Sequence, residues 1–304
     1  MSIQPRPYAV LCGGLGGSRF VDALARAAGP ERVTAIVNVG DDVEILGLHV
    51  SPDLDTVLYT LAGLLDEERG WGVRAETTNA LEAAGRLGGE TWFTLGDRDI
   101  GLHLVRSRLL REGVPLSEAT RRLTESLGVG VRLLPASDDP VRTFLTTSAG
   151  ELDFQTWFVA RRHADEVAAV RYEGAEDARP APGVLEAIAA AEVVFLAPSN
   201  PFVSILPILA VPGVHGALAG KRVVAVSPLV AGRALRGPLA AMMASLGHEP
   251  GVRGIAALYE GIADDIVVDP ADAGELPGAV VAPIVMVAPE SRAEVGRAVL
   301  EAVR

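Results

Sequence analysis

The stretch YAVLCGGLGGSRF, residues 8–20, joins a short apolar run to a glycine-rich turn and then to the start of an amphipathic segment. This order is typical of the first βα unit of a parallel sheet. Gly13, Gly14, Gly16 and Gly17 have no Cβ, so the backbone can approach an anion, and the N–H groups at the start of the next helix favour negative charge. The stretch therefore predicts a phosphate-binding loop, with an ordinary strand-to-helix turn as the alternative.

The glycine loop differs from two common nucleotide-binding motifs. A P-loop requires a lysine directly after its last glycine, whereas Lys221 is the only lysine of the chain. A dinucleotide-binding motif requires a third glycine where Arg19 stands, and an acidic residue after the next strand, where this chain has Asn38. These differences argue against a nucleotide-dependent dehydrogenase. The predicted ligand is a nucleotide or phosphate, with arginines as the available cations.

Composition and charge exclude several classes of function. The 304 residues carry a net charge of −12, with a pI of about 4.9, and nucleic acids or anionic membranes require a basic surface instead. A single cysteine, Cys12, excludes an internal disulfide and predicts a small buried strand residue. No apolar run has the length of a membrane span or the form of a signal peptide. We therefore expect a cytoplasmic protein that binds neither nucleic acid nor membrane.

Short Val-, Ile- and Ala-rich runs alternate with longer helical patterns, which predicts an α/β fold: a Rossmann-like, mostly parallel sheet with helices on both faces. Predicted core strands lie at 8–12, 33–37, 91–95, 192–197, 222–227, 265–268 and 282–287. Predicted helices lie at 17–28, 53–65, 98–112, 116–127, 201–210, 237–246 and 290–303. We expect one Rossmann-like unit over residues 1–304 with a smaller α+β lobe inserted at about 131–182. A decorated edge of a single domain is the alternative for that lobe.

Three acidic turns stand where predicted elements meet. NVGDD (residues 38–42) follows one strand, SPDLDT (51–56) opens a helix, and LGDRD (95–99) follows another predicted strand. Acidic residues in a first helical turn can simply complement the helix dipole, but adjacent carboxylates repel each other unless a cation lies between them. The turns are therefore predicted to share one site for a Mg²⁺-phosphate complex, since Mg²⁺ uses few carboxylates together with substrate phosphates.

Two further segments have the character of binding sites. Ser199 and Asn200 follow the strongest strand of the second half and precede a helix, so they are predicted to meet a ligand at the same sheet edge. Trp71 stands in a glycine-containing loop, where it is either a core residue or a platform for a flat ligand.

These segments occur together, and in this order, in a known family. The loop 13–17, the turns 38–42, 51–56 and 95–99, and the segments 137–141, 153–155 and 197–201 resemble the 2-phospho-L-lactate transferase family of coenzyme F420 biosynthesis. The segments QTWF (155–158) and RRH (161–163) are similar to its actinobacterial branch. Seven ordered segments across nearly the whole chain make the resemblance specific.

The resemblance implies transfer of a phosphoenolpyruvyl or 2-phospholactyl group from a guanosine diphosphate-linked donor to the ribityl hydroxyl of the deazaflavin Fo, with release of GMP. It also implies Mg²⁺ as cofactor. Asp55 and Thr94 match family positions for Fo. The glycine loop and the turn 198–201 would bind the guanosine nucleotide. The sequence leaves open which of the two groups the donor carries and which oligomeric state the protein adopts, with a homodimer as the candidate assembly.

Attack of a hydroxyl on a diphosphate depends on positioning and on charge neutralisation more than on a covalent nucleophile. We therefore predict that Asp42, together with Asp55 or Asp97, holds Mg²⁺, that Arg98 stabilises the transferred phosphoryl, and that Asp55 accepts the hydroxyl proton. The predicted catalytic residues are Asp55, Asp97 and Arg98, and the metal ligands are Asp42 and Asp55. The predicted substrate-binding residues are Gly13, Gly14, Gly16, Gly17, Asn38, Asp55, Thr94, Ser199 and Asn200.

A non-catalytic regulator that binds nucleotide sugars, similar to the gluconeogenesis-factor family, is the alternative function. That family also has a glycine loop and an acidic turn, but a glycine- and serine-rich segment follows its paired aspartates. In this chain VEILG (residues 43–47) follows instead, which favours the transferase.

Overall fold

A computed structural model describes residues 7–235 and 237–304. Its strands are β1 (Tyr8–Cys12), β2 (Val33–Val37), β3 (Val43–Ile45), β4 (Leu48–Val50), β5 (Arg132–Pro135), β6 (Arg142–Thr147), β7 (Gly150–Asp153), β8 (Val167–Glu173), β9 (Val193–Leu196), β10 (Arg222–Val226), β11 (Leu229–Val230), β12 (Arg233–Ala234), β13 (Asp265–Val268) and β14 (Val280–Val281). Its α-helices are α1 (Gly14–Ala28), α2 (Pro52–Leu61), α3 (Asn79–Arg86), α4 (Asp97–Arg111), α5 (Leu116–Ser126), α6 (Val184–Ala190), α7 (Leu206–Ala210), α8 (Val214–Ala217), α9 (Leu239–Ser245), α10 (Val252–Leu258) and α11 (Arg292–Ala302).

A seven-stranded parallel sheet forms the core, in the order β14-β13-β10-β9-β1-β2-β5. Every residue of β9 is buried, as expected for a strand whose sheet is covered on both faces. Helices connect the parallel strands, so the predicted α/β fold is confirmed. None of the helices in residues 7–235 and 237–304 combines the length and hydrophobicity needed to span a bilayer.

The order in which the chain adds strands to the sheet reverses between β1 and β9. From β1 it proceeds through β2 to β5 at one edge, and from β9 it proceeds through β10 and β13 to β14 at the other edge. In open α/β sheets, ligands bind beyond the carboxyl ends of the strands at such a switch point. The glycine loop follows β1 at this point, and residues 197–200 follow β9.

A small antiparallel sheet of β7, β6 and β8 lies within residues 142–173. The segment predicted as an inserted lobe, residues 131–182, also contains β5, which pairs with β2 in the main sheet. The backbone N–H of Thr143 donates to the Gly40 carbonyl at 2.6 Å. The small sheet is thus attached to the acidic turn 38–42, and its division from the main unit stays a prediction.

Two predicted strands are wrong. Residues 91–95 form a loop, because their apolar side chains cover the β3–β4 hairpin, where Leu95 is buried with Ile45 and Val50. A short apolar run does not distinguish these two uses. Beyond β14, residues 282–287 are not a strand: Pro283 has no N–H to donate. Among the elements the sequence analysis did not predict are β3, β4, β5, α3, α6, α8 and α10.

Candidate active site

A cavity of about 660 Å³ opens at the switch point. It is lined by the glycine loop, by the start of α2, and by residues from the segments 69–71, 93–94, 154–159, 198–204 and 227–239. Ile284 and Met286, from the segment before α11, also line it. The described parts of both halves of the chain therefore contribute to one site.

The glycine loop and the turn after β9 are in close contact. A Cβ on Gly16 would lie 2.2 Å from the carbonyl oxygen of Pro198, and one on Gly17 would lie 2.5 Å from the Oγ of Ser199. The Ser199 hydroxyl donates to the carbonyl of Gly13 at 2.7 Å and accepts from its N–H at 3.1 Å. Gly16 is therefore required by the close approach of two backbones, and Gly17 by the close approach of the Ser199 side chain.

Two buried carboxylates line the cavity, Asp41 and Asp53. The amide nitrogen of Asn38 lies 3.3 Å from Asp41 and 3.0 Å from Asp53, and the N–H of Gly14 donates to Asp53 at 2.5 Å. Burial raises the pKa of Asp53 to about 6, against the opposing hydrogen bonds from Asn38 and Gly14. Burial, followed by the charge of Asp53, also raises the pKa of Asp41. Both pKa values are therefore raised chiefly by burial, while the hydrogen bonds described here reach the pair from neutral donors.

The small sheet supplies one more partner of Asp41. Gln155 follows β7, is 4% exposed, and its Nε2 donates to Asp41 Oδ2 at 3.0 Å. Next to it, Phe154 and Phe158 stack with centroids 5.3 Å apart and an interplanar angle of 17°, and His163 continues the stack on Phe158. All four of these side chains line the cavity. The three rings of Phe154, Phe158 and His163 form a flat aromatic wall in the same cavity as the carboxylates.

The predicted metal ligands Asp42 and Asp55 do not line the cavity. Asp42 accepts from the Ser51 hydroxyl at 2.9 Å and lies 3.0 Å from His49 Nε2. Both carboxylate oxygens of Asp55 are bound by the guanidinium of Arg106. Burial raises the pKa of Asp55, but the charge and hydrogen bonds of Arg106 outweigh it, so that its pKa lies below the usual value. The metal and proton-acceptor roles of these residues stay predictions that their contacts do not support.

Asp97 and Arg98 also lie away from the cavity lining. Asp97 accepts from the Thr77 hydroxyl at 2.6 Å and from the Ala80 N–H at 2.9 Å, and so holds the start of α3. These hydrogen bonds lower the pKa of Asp97 to about 2. Arg98 is exposed and donates to the Arg74 carbonyl at 3.3 Å. Their predicted catalytic roles stay untested, and the structure gives Asp97 a structural role.

The structure brings most of the other predicted binding residues to the cavity. Gly13, Gly14, Gly16, Thr94, Ser199 and Asn200 line it. Asn38 is 1% exposed and does not line the cavity itself, but its side-chain amide contacts three lining residues, Asp41, Asp53 and the carbonyl of Val203. Among the described side chains, no group of three or more His, Cys, Asp or Glu is arranged to hold a metal ion.

The sequence analysis did not assign the segments 227–235 and 237–239 to the site. Ser227 and Pro228 directly follow β10 at the carboxyl edge of the sheet, and the β11–β12 hairpin continues along the cavity. Between the two strands of this hairpin, Ala231 has a positive φ of 49°, which is uncommon for a residue with a Cβ. The rule that ligands bind at carboxyl ends of strands was the signal available for these segments.

The fold and the site define an α/β protein with a glycine-rich loop and a buried carboxylate pair beside a cavity at the switch point of its sheet. Residues 9–281 match the model of the family 2-phospho-L-lactate transferase CofD. The chain belongs to this family.

Relatives support the assignment over most of the chain. A protein of Streptomyces griseus named phosphoenolpyruvate transferase is 46% identical over 273 residues, covering 87% of this chain and 86% of the relative. One of a Mycobacterium species (strain JLS), with the same name, is 41% identical over 318 residues, covering 95% and 96%. The crystal structure of a UPF0052 family member from Bacillus halodurans has a TM-score of 0.57 at 20% identity, covering 88% of this chain and 81% of that one. That likeness shows the fold alone.

Proposed function

We propose that this chain transfers a phosphoenolpyruvyl group from a guanosine diphosphate-linked donor to the ribityl hydroxyl of Fo, with release of GMP. The family and the names of the Streptomyces and Mycobacterium relatives support the transferred group. The observation that carries the proposal is the buried pair Asp41 and Asp53 beside the glycine loop in a cavity of about 660 Å³. That volume is within the range of ligand pockets.

The walls of the cavity suit the two substrates. The stack of Phe154, Phe158 and His163 offers a flat apolar face to a planar deazaflavin ring, and Thr94 offers a hydroxyl. Arg19 also lines the cavity, from the first turns of α1, where a guanidinium can meet the charge of a diphosphate.

Mg²⁺ fits the carboxylate pair. The ion prefers oxygen ligands and binds through one or two carboxylates together with substrate phosphates. Burial raises the pKa values of Asp41 and Asp53, and a bound cation would favour their charged forms. Asp41 and Asp53 would hold the ion. When bound, it would neutralise charge on the diphosphate.

In the proposed reaction the ribityl hydroxyl oxygen forms a bond to the phosphorus that carries the enolpyruvyl group. The bond from that phosphorus to the bridging oxygen breaks, and GMP leaves with that oxygen and its electron pair. The hydroxyl proton passes to the carboxylate pair. Asn38 and Gln155 hold the pair in place through the contacts described above. A cytoplasmic location and a homodimer stay predictions.

The test is a product assay with purified protein, Fo, Mg²⁺ and the guanosine diphosphate-linked donor, in its enolpyruvyl and lactyl forms. We expect the enolpyruvyl donor to give product and GMP in equal amounts. Asp41→Asn and Asp53→Asn should lose nearly all turnover, whereas the matched variant Asp97→Asn should keep it. Chelation of Mg²⁺ should stop the reaction reversibly.

Two results would contradict the proposal. Full turnover by both cavity variants would remove the carboxylate pair from the chemistry. Saturable binding of a UDP-sugar, without product from either donor and without an effect of Fo, would favour the regulator of nucleotide-sugar type.

A further inference from the structure

Arg292 is a buried guanidinium that none of the sequence motifs contains. It is the first residue of α11, is 1% exposed, and lies where α11 packs along α1. The packing is close, since a Cβ on Gly296 would lie 2.2 Å from the carbonyl oxygen of Ala23. This contact brings the start of α11 near the first turns of α1, which carry the glycine loop.

All three nitrogens of the Arg292 guanidinium have protein partners. Nη1 donates to Asp22 on α1 at 3.1 Å, Nη2 to Glu67 at 2.5 Å, and Nε to the carbonyl of Met286 at 3.3 Å. A planar guanidinium presents N–H donors on three nitrogens in a rigid fork, whereas an ammonium donates from a single nitrogen at the end of a flexible stem. Arg292 therefore joins three separate segments rather than binding a ligand itself.

Two of those segments are walls of the cavity. Met286 lines it directly. Glu67 belongs to the loop of residues 66–72, whose members Arg69, Gly70 and Trp71 line it. Glu67 also accepts from Arg19, at 2.8 Å, and Arg19 lines the cavity next to the glycine loop. One buried side chain thus connects the 66–72 loop and the segment before α11 to α1.

The 66–72 loop is braced internally. Asp66 accepts from the N–H groups of Glu68 and Arg69 at 3.1 and 3.0 Å, and its own N–H donates to the Gly72 carbonyl at 3.1 Å. These hydrogen bonds hold the loop together, and the ion pairs of Glu67 with Arg19 and Arg292 attach it to α1 and α11 on the side that carries Trp71 into the cavity lining.

We propose that Arg292 is a positioning residue that, through Glu67, holds the 66–72 loop and the guanidinium of Arg19 in place for the nucleoside diphosphate end of the donor. The identity of that ligand rests on the proposed function. The positioning itself does not, and it has a readout that requires no substrate.

The test compares Arg292→Lys, Glu67→Gln and the double variant with the wild-type chain. Arg222→Lys is the matched control. Arg222 pairs with Asp265 at 3.0 Å at the amino ends of β10 and β13, and neither residue lines the cavity. Acrylamide quenching of Trp71 is measured without ligand, and the contribution of the other tryptophans is subtracted with Trp71→Phe versions of each protein. Thermal melting verifies that each variant is folded, and GDP is the binding probe.

We expect Arg292→Lys and Glu67→Gln to increase the quenching of Trp71 by acrylamide. Both variants should also bind GDP about tenfold more weakly and have a donor KM about tenfold higher, with kcat little changed, because they lose a contact behind a binding group. The double variant should be no worse than the more affected single variant, because both changes break one chain of contacts. Arg222→Lys should behave as wild type.

Unchanged Trp71 quenching in both folded single variants would overturn the proposal, as would effects on GDP binding that multiply in the double variant. Failure of the proposed function would look different. The wild-type chain would then give no product, whereas Trp71 quenching would still respond to Arg292→Lys and Glu67→Gln.

Discussion

Replacing Arg106 by methionine is expected to lower the free energy of unfolding by about 3–5 kcal/mol, the usual cost of removing one partner of a buried ion pair. Arg106 is 1% exposed and binds both carboxylate oxygens of Asp55, which is 5% exposed. Without the guanidinium, Asp55 keeps the imidazole of His103 as a neighbour, with Nδ1 at 3.7 Å. The variant would retain a buried carboxylate with little compensation.

The loss should depend on pH. Arg106 holds the pKa of Asp55 below its usual value in the folded protein. The pair therefore stabilises the wild-type fold above the unfolded pKa of about 3.9, and this contribution declines as the pH falls through the lower folded pKa. In Arg106→Met burial instead raises the pKa of Asp55, so the variant should be least stable, relative to wild type, at neutral pH.

Urea unfolding at pH 7 and pH 4.5 measures the effect, with Arg222→Met as a control for an exposed pair, which should cost less than about 1 kcal/mol. Adding Asp55→Asn to Arg106→Met should recover part of the loss, since the unpaired charge is then absent. A change below about 1 kcal/mol in Arg106→Met at pH 7 would refute the interpretation of Asp55 as a buried structural anchor.

Three further outcomes are expected. Because the pKa of Asp53 is raised to about 6, its ionisation opposes folding: stability present below about pH 4 is lost as the pH rises through 6, by about 3 kcal/mol at most. Urea titrations in metal-free buffer should show this loss in wild type and not in Asp53→Asn. Gly16→Ala should abolish turnover or folding, as judged by assay and circular dichroism, because its Cβ would meet the Pro198 carbonyl at 2.2 Å. Asp97→Ala should lower the melting temperature through loss of the α3 contacts, yet keep kcat; a loss of kcat in folded protein would restore its predicted catalytic role.

The sequence predicted the central strands and most of the long helices well. The strands at 8–12, 33–37 and 265–268 were placed within a residue of those observed, because a buried parallel strand requires an uninterrupted apolar run. The same reasoning failed at 91–95, where the apolar run covers a small hairpin. Hydrophobicity records that a segment is buried, whereas the surface it covers is decided by packing.

The candidate site was predicted by segment better than by residue. The glycine loop, the turn 38–42, the start of α2 and the turn after β9 do meet at one cavity. Within two of those segments, however, the carboxylate that lines the cavity is not the predicted metal ligand. Asp41 lines the cavity in place of Asp42, and Asp53 in place of Asp55.

The glycine loop, the run of βα units and the ordered motifs are local properties, so the sequence by itself determined the fold class and the family. Which acidic side chain meets the cavity depends on long-range contacts. Positions 53 and 55 of one helix point about 200° apart, and only the packing of α4 against α2 decides that Arg106 takes Asp55 and leaves Asp53 to the cavity. Likewise, Arg292 and Glu67 are 225 residues apart. The tertiary structure alone brings them together, because a buried charge is stable only where the fold supplies its partner.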